Sequence, residues 1–397
     1  MSREESVLKL KSHFPSDWQA DLITLRETLH AHPELSGQEH QTARTLTDAL
    51  KKLKPKSVER IADTGVVARI VGSGKGPTVA IRGDMDALPI QENTGASFQS
   101  TVPGVMHACG HDIHATWAVG AAVLLAEDPA IGDVLVVLQP AEESAEGAKA
   151  ILKSGVLSEA KAIFGAHVDM GFEVGTILLH RGPVAASSDT FEITVRGKGA
   201  HGARPHEGQD PILAAAALVQ ALHTIVSRRI HPADAAVISI GHVQAGTTHN
   251  VIPETCLLLG TIRALDPQVR ETLHQEIESI CQHLGSAYHC NITCHIQKNM
   301  PPIVNVAPTI DWAYEAAAAF WDKAAILSLP KPNLASEDFA YYLESIPGTF
   351  ARIGARTPGK PVVPAHSSGF LPDTNAIWVG AYWLAESARR AAMHLAG

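Results

Sequence analysis

The sequence predicts an α/β protein whose main domain has a mostly parallel sheet sandwiched by helices, with a smaller ferredoxin-like domain inserted into it. Two observations predict this fold. Over residues 1–182, strands of continuous apolar character alternate with helical segments, which is typical of a parallel sheet buried on both faces. Over residues 183–297 the order becomes βαββαβ, the split-βαβ arrangement of a ferredoxin-like sandwich.

Composition narrows the class of protein. The chain has 397 residues, 45% of them hydrophobic, enough for two or three cores. Its 32 Lys and Arg against 41 Asp and Glu give a net charge of −9, which argues against binding to nucleic acid or anionic membranes. A charged N-terminus and the lack of an apolar run of ~18–20 residues predict a cytoplasmic protein without a signal peptide or membrane span. Five cysteines are too few for a disulfide framework.

The elements follow from apolar periodicity and turn residues. In the first part we predict helices over 17–30, 37–53, 113–127 and 145–152, and strands over 65–71, 77–82, 133–138 and 162–166. The second helix opens with a capping-box pattern, Ser36-Gly-Gln-Glu39.

The order of elements changes after residue 182. In the insert we predict strands over 190–196, 236–243, 256–262 and 289–296, and helices over 210–227 and 268–284. After Met300-Pro-Pro302, helices and strands like those of the first part resume, and the chain ends in a helix over 375–395. The predicted domain limits are 1–182, 183–297 and 298–397.

Two carboxylates, Asp84 and Asp86, leave the end of the strand over 77–82. Carboxylates there need a cation, a helix N-terminus or water. The next segment, His107-Ala-Cys109-Gly-His111-Asp112-Ile-His114, offers thiolate and imidazole ligands that suit zinc, with Cys109 and His111 as the candidates. The alternative is a helix N-terminus capped by Asp112 with incidental histidines, and His114 fits a supporting position better than a ligand position.

Adjacent glutamates, Glu142 and Glu143, follow the strand over 133–138. Neighbouring side chains at a strand end point in different directions, so one can bind a metal while the other acts as a general base. Read alone, such a pair is usually the solvated start of a helix. Beside a metal site, Glu142 is the candidate base and Glu143 the candidate ligand.

Two further imidazoles complete the set. His167 ends a hydrophobic strand, and His366 lies in a loop ahead of the last helix. Ligands gather outside the carboxyl ends of strands in open α/β sheets, which favours convergence of these segments. Cys109, His111, Glu143, His167 and His366 are too many ligands for one tetrahedral zinc and suit two ions.

Several motifs in this order resemble the aminoacylase/carboxypeptidase-type dinuclear metallohydrolases, in the branch with hippurate hydrolases and auxin-conjugate (indoleacetyl-amino acid) amidohydrolases. The resemblance runs through nearly the whole chain. The motifs are RGDMDALP (82–89), HACGHDIH (107–114), QPAEE (139–143), GAH (165–167) and HSSGF (366–370), with HAHPELS (30–36), AHGARP (200–205), NVIP (250–253) and SEDF (336–339).

The resemblance implies a catalytic α/β domain with an inserted lid and two divalent metal ions. Zinc is favoured by the thiolate, and manganese, nickel or cobalt are used by related enzymes. The implied metal ligands are Cys109, His111, Glu143, His167 and His366. Glu142 is implied as the base and Asp86 as the carboxylate that orients a ligand histidine; Asp84 replaces a family histidine and is not implied as a ligand.

The implied reaction is hydrolysis of an amide that joins an acyl group to an amino acid, such as hippurate or an N-acetyl amino acid. His201 is the candidate oxyanion donor. The resemblance places His201 and Asn250 toward the cleft, and the planar guanidinium of Arg263 suits the substrate α-carboxylate. On sequence alone, Arg263 could equally be an exposed strand charge. An assembly of identical chains through the lid is a further expectation.

Two other functions remain open at this point. A dipeptidase or carboxypeptidase of the same family is the first, because a dipeptide is itself an N-acyl amino acid. A catalytically silent amino-acid or metal-binding protein is the second, and the adjacent Glu142 and Glu143 argue against it.

Overall fold

The computed structural model describes residues 3–321, 325–332 and 334–397, and the chain divides into two compact units. The large unit comprises Met1–Gly182, Asn305–Pro330 and Asp338–Gly397, and the inserted unit comprises Pro183–Val304 and Lys331–Glu337. The domain limits expected from sequence stay a prediction, because compactness does not establish independent folding.

Helices and strands alternate along the described chain. The helices are α1 Arg3–Lys11, α2 Ser16–Ala31, α3 His40–Lys51, α4 His111–Glu127, α5 Gly147–Lys153, α6 Pro211–Arg228, α7 Pro267–Ala287, α8 Thr309–Ala318, α9 Ala340–Leu343 and α10 Ala376–Ala396. The strands are β1 Ser57–Ile61, β2 Gly65–Ile70, β3 Thr78–Asp84, β4 Val134–Gln139, β5 Ala160–Glu173, β6 Ile177–Leu178, β7 Gly182–Ala185, β8 Ser188–Arg196, β9 Ala200–His201, β10 Ala236–Ala245, β11 Val251–Ile252, β12 Thr255–Ala264, β13 Asn291–Met300, β14 Ile303–Asn305, β15 Ile326–Leu327 and β16 Gly348–Arg356.

An eight-stranded sheet forms the centre of the large unit, in the order β1-β2-β4-β3-β5-β16-β6-β15. Its central strands β4, β3, β5 and β16 are parallel neighbours, whereas β1, β2 and β6 pair antiparallel. Every residue of β3 and β4 is buried, and α4 and α10 pack against the sheet. The predicted mostly parallel sheet between helices is therefore confirmed, because apolar strands of this kind need both faces covered.

The inserted unit has a four-stranded antiparallel sheet in the order β10-β12-β8-β13, with α6 and α7 as its long helices. The chain order β8-α6-β10-β12-α7-β13 is the predicted βαββαβ pattern, and it is confirmed. Each helix begins with proline after an aspartate, Asp210 or Asp266, whose carboxylate accepts backbone N–H groups of the first turn. These are favourable N-terminal residues for a helix.

Helix α6 is long and apolar enough, by length and composition, to cross a membrane. Only one stripe of it is buried, with Ala214, Leu218 and Leu222 in the core of the inserted unit. A buried stripe is what the core helix of a globular unit shows, so this helix is weak evidence for a span. Polar residues such as Gln220 interrupt its apolar run.

The predicted capping box at Ser36 and Glu39 is wrong. Helix α3 begins at His40, and Glu39 makes no side-chain hydrogen bond as its cap. The Ser36 hydroxyl donates to Asp86 instead, and the Glu39 carboxylate accepts the Gly37 and Ala141 N–H groups. Each side chain therefore has a partner far along the chain, Asp86 for Ser36 and Ala141 for Glu39, because the helix start is packed against other segments, with Glu39 fully buried.

Candidate metal centre

Parallel pairing brings the polar segments of the large unit to one edge of the sheet. In register, Asp84 at the end of β3 lies opposite Gln139 at the end of β4, and Arg82 lies opposite Gly165 of β5. Strand β5 runs on to Glu173, so the prediction that it ends before His167 is wrong. His167 nevertheless lies at the level where β3 ends, because the pairing of β3 with β5 puts it two residues beyond Gly165.

The five predicted ligands come together there. The Cys109 sulfur lies 3.2 Å from Nε2 of His167, and Oε1 of Glu143 lies 3.9 Å from Nε2 of His111 and 3.4 Å from Nε2 of His366. Cys109, His111 and His167 form one group whose ligand atoms lie within 4.8 Å of one another, and Cys109, Glu143 and His366 form another. Cys109 belongs to both groups, so the arrangement suits two neighbouring ions better than one.

Two buried atoms of the cluster indicate whether a cation would fit there. Nε2 of His111 and Oε1 of Glu143 are buried and have no hydrogen-bond partner among the described residues. Leaving a buried ring nitrogen and a carboxylate oxygen unpaired is costly unless something else binds them. Thiolate, imidazole and carboxylate are the ligand types of divalent transition metals, so the residues present fit the predicted metals.

Asp86 orients His111. The Nδ1–H of His111 donates to the backbone carbonyl of Asp86 at 2.9 Å and lies 3.2 Å from its carboxylate, which leaves Nε2 toward the cluster. Burial alone would lower the pKa of His111, but the neighbouring Asp84 and Asp86 raise it well above its usual value. The other carboxylate oxygen of Asp86 accepts the Glu143 N–H at 3.1 Å. Asp86 therefore positions two of the predicted ligands.

His114 and Asp84 form a hydrogen-bonded pair beside the ligand cluster. Nδ1 of His114 lies 2.6 Å from Asp84, and its Nε2 accepts the Val168 N–H at 3.0 Å, so both ring nitrogens are engaged. Burial alone would raise the pKa of Asp84, but Arg82 and the neighbouring histidines lower it well below its usual value. Although Asp84, His111 and His114 also form a close group, the hydrogen bonds of His114 favour the predicted supporting position over a ligand position.

His167 and His366 are held differently. Nδ1 of His167 donates to the Val168 carbonyl at 2.7 Å, and burial lowers its pKa well below the usual value, so the ring is neutral, as a ligand must be. His366 lies in an exposed loop with a φ of +61°. The thiol of Cys109 and the carboxylate of Glu143 beside it raise the pKa of His366 to about 10, so a metal must displace a proton there.

Glu142 lies in the turn after β4. Its Oε1 accepts the Asp338 N–H at 3.2 Å, and its carboxylate lies with His111 and Glu143 in a third close group. Ala141, directly before it, has a φ of +52°, which is uncommon for alanine and is held by the hydrogen bond from its N–H to Glu39. The turn therefore points Glu142 and Glu143 toward the same group of ligands.

The predicted substrate residues belong to the inserted unit. His201 of β9 pairs with Val251 of β11, and the Gly202 N–H donates to the Asn250 carbonyl, so His201 and Asn250 are close neighbours. Both are exposed. Arg263 on β12 is half-buried, its Nη1 has no partner among the described residues, and burial lowers its pKa. Their roles toward the cluster stay predictions.

Sequence reasoning assigned no role at the metal centre to Glu39 or Asp338. Both carboxylates are buried, and both accept backbone N–H groups from the segment 141–148 that carries Glu142 and Glu143. The one signal in the sequence was their position: Glu39 stood in a capping-box pattern, and Asp338 stood in the SEDF motif.

Comparison with known proteins shows the family of this chain. Residues 80–390 match the family described as peptidase family M20/M25/M40. N-acetyl-L-cysteine deacetylase from Bacillus subtilis is 39% identical over 94% of this chain and 89% of its own. The IAA-amino acid hydrolase ILR1-like 5 of Arabidopsis thaliana is 37% identical over 97% of this chain and 88% of its own.

A solved structure is similar over its full length. The Bacillus subtilis YXEP protein, described as a dinuclear metal-binding peptidase from the M20 family, superimposes with a TM-score of 0.84 at 35% identity, covering 96% of this chain and 99% of that one. The matched range 80–390 includes every residue of the cluster, from Asp84 to His366. The chain is therefore a hydrolase that belongs to peptidase family M20/M25/M40, as the resemblance of its motifs predicted.

Proposed function

We propose that this protein is a metal-dependent amidohydrolase that cleaves the amide bond of N-acyl amino acids. The observation that carries the proposal is the convergence of five ligand side chains beside the carboxylate of Glu142. Two of the five, His111 and Glu143, each have a buried atom without a partner among the described residues. The activities for which the two relatives are named, deacetylation of an N-acetyl amino acid and hydrolysis of an IAA-amino acid, support this substrate class.

Cys109, His111, Glu143, His167 and His366 would hold two divalent ions, with zinc favoured because of the thiolate and manganese, nickel or cobalt as alternatives. When bound, the ions supply Lewis acidity, which polarises the amide carbonyl and lowers the pKa of water. Cys109 lies in both ligand groups and would serve both ions.

Glu142 takes the proton from the attacking water and delivers it to the leaving amine nitrogen. The Asp338 N–H at Oε1 fixes one oxygen of this carboxylate. His201 donates a hydrogen bond to the oxyanion that forms at the carbonyl, and Asn250 binds the substrate beside it. Arg263 binds the α-carboxylate of the amino-acid portion through its planar guanidinium.

A cytoplasmic location and an assembly through the inserted unit also stay predictions.

The test is to remove bound metal with a chelator, reload the protein with each metal in turn and measure the rate of hydrolysis. The substrates are N-benzoylglycine, N-acetyl and indoleacetyl amino acids, and dipeptides with a free amine. We expect metal-dependent turnover of the N-acyl amino acids. Preference for the free-amine dipeptides would instead assign a dipeptidase, and binding without turnover of any substrate would assign a binding protein.

The role of Glu142 is tested by Glu142→Gln, which keeps the shape and removes the base. We expect kcat to fall by roughly 10²–10⁴-fold at unchanged metal content, the usual contribution of a general base. Glu146→Gln is the matched control because Glu146 lies in the same segment with its side chain exposed and paired only with Lys149 among the described residues. Full turnover by Glu142→Gln would contradict the proposed base.

A further inference from the structure

The carboxylate of Asp338 lies completely buried, just before α9. One oxygen accepts a hydrogen bond from Nη2 of Arg82 at 2.9 Å. Nε2 of Gln139 lies 2.9 and 2.8 Å from the two oxygens, and the Ala148 N–H donates to the second at 3.0 Å. Such a charge is stable inside a protein only when it is paired and hydrogen-bonded, as it is here.

These contacts bracket the turn that carries Glu142. Gln139 is the last residue of β4, before the turn, and Ala148 lies in the first turn of α5, after it. The backbone N–H of Asp338 in addition donates to Oε1 of Glu142 at 3.2 Å. One residue therefore holds both ends of the turn through its side chain and the carboxylate at its centre through its main chain.

The turn has little room to adapt. A Cβ atom on Gly147 would lie 1.6 Å from the Pro140 carbonyl oxygen, so the two ends of the turn pass in direct contact. Ala141 is in the left-handed region, where its N–H is bound by buried Glu39. A turn of this kind keeps its shape only while the surrounding contacts determine it.

We propose that Asp338 is a positioning residue that sets the orientation of the Glu142 carboxylate through the buried network of Arg82, Gln139 and the Ala148 N–H. This inference rests on the proposed function, in which Glu142 moves the proton. Displacement of a reacting group by about 1 Å can lower a rate by roughly 100-fold, so loss of the network should affect the rate more than substrate affinity.

Asp338→Asn is the first test variant. An asparagine side chain has only one acceptor oxygen, whereas Arg82 and the Ala148 N–H donate to opposite oxygens of Asp338. The asparagine NH₂ group must therefore face one of these two donors. We expect the backbone at residue 338 to shift away from that donor, and the Glu142 carboxylate to shift with it. We expect kcat on N-benzoylglycine, or on the best N-acyl amino acid of the panel, to fall by about 100-fold while KM changes by less than about threefold.

Asp133→Asn is the control. Asp133 is a charged residue directly before the opposite end of β4, so its replacement should leave kcat unchanged.

A second measurement does not depend on activity. In the metal-free protein, hydrogen exchange should be at least tenfold faster in peptides over 140–148 of Asp338→Asn than in the unaltered protein. Peptides over α10 should exchange as before, because the effect is local. Metal content after reloading should be unchanged, which separates a shifted Glu142 from a lost ligand.

The outcomes decide between the two proposals. Unchanged kcat, or unchanged exchange over 140–148, in Asp338→Asn would overturn the positioning role. If the unaltered, metal-loaded protein hydrolyses no N-acyl amino acid, the proposed function is wrong. In that case the exchange measurement still decides whether Asp338 fixes the turn.

Discussion

The carboxylate of Asp86 lies 3.2 Å from Nδ1 of His111, and this contact turns the other ring nitrogen of His111 toward the ligand cluster. A carboxylate in this position fixes the tautomer of a metal-binding histidine, and its loss commonly lowers metal affinity 10–100-fold. We expect Asp86→Ala to weaken zinc binding by about that factor, measured by competition with a chelator. Ser36→Ala, which removes only the hydroxyl donor to Asp86 at 2.7 Å, is the control and should weaken zinc binding far less. Equal zinc affinities for Asp86→Ala and the unaltered protein would rule out this role.

The Cys109 sulfur is the soft ligand of the cluster and belongs to both of its ligand groups. Cys109→Ser replaces it with a hydroxyl of similar shape, which suits harder ions such as manganese better than zinc. We expect zinc affinity to fall at least ten times more than manganese affinity, as measured by titration of the chelated protein with each metal. Cys294→Ser, the same change in the inserted unit, should alter neither affinity. A parallel loss of both metals in Cys109→Ser would contradict a selective thiolate.

Gly147 lies where the turn after β4 closes on Pro140. Gly147→Ala would place a methyl group 1.6 Å from the Pro140 carbonyl oxygen, so the backbone must shift. Overpacking of this kind costs about 1–3 kcal/mol of unfolding free energy, and here it also displaces the segment of Glu142. Gly74→Ala is the control because its new Cβ meets nothing within 4 Å. Urea unfolding and kcat are the measurements, and equal results for the two variants would contradict the steric argument.

Asp189 on β8 stabilises the inserted unit in a pH-dependent way. Its two oxygens lie 2.6 and 2.7 Å from Arg270 and 2.8 Å from Nε2 of His274. Burial alone would raise the pKa of Asp189, but these hydrogen bonds lower it to about 2. A pKa below that of the unfolded chain stabilises the folded state by roughly 2 kcal/mol at neutral pH, and this contribution is lost as the pH falls from about 4 to about 2.

The corresponding variant is Asp189→Asn. We expect it to unfold at lower urea concentration than the unaltered protein at pH 7, with a smaller difference at pH 3, followed by circular dichroism. Glu192→Gln, on an exposed position of the same strand, should unfold like the unaltered protein at both pH values. If the difference in urea midpoint between Asp189→Asn and the unaltered protein were larger at pH 3 than at pH 7, the result would contradict a lowered pKa of Asp189.

The α/β class, the βαββαβ insert and the five ligand candidates could be predicted from the sequence. Apolar periodicity is a local property, so it is readable from neighbouring residues, and thiol, imidazole and carboxylate side chains keep their ligand chemistry wherever they fold. Parallel strands with covered faces then imply that the segments after β3 and β4 meet at one edge of the sheet.

The partners of the buried polar side chains could not be predicted in this way and are known only from the folded chain. Ser36 and Glu39 had the spacing of a local helix cap, yet they bind Asp86 and Ala141, and Asp338 holds the turn of Glu142 from almost 200 residues away in the chain. A buried acid takes whichever donors the packed chain brings within hydrogen-bond distance, because leaving it unpaired costs more than giving up a local contact. That choice depends on the packing of distant segments, which no local pattern contains.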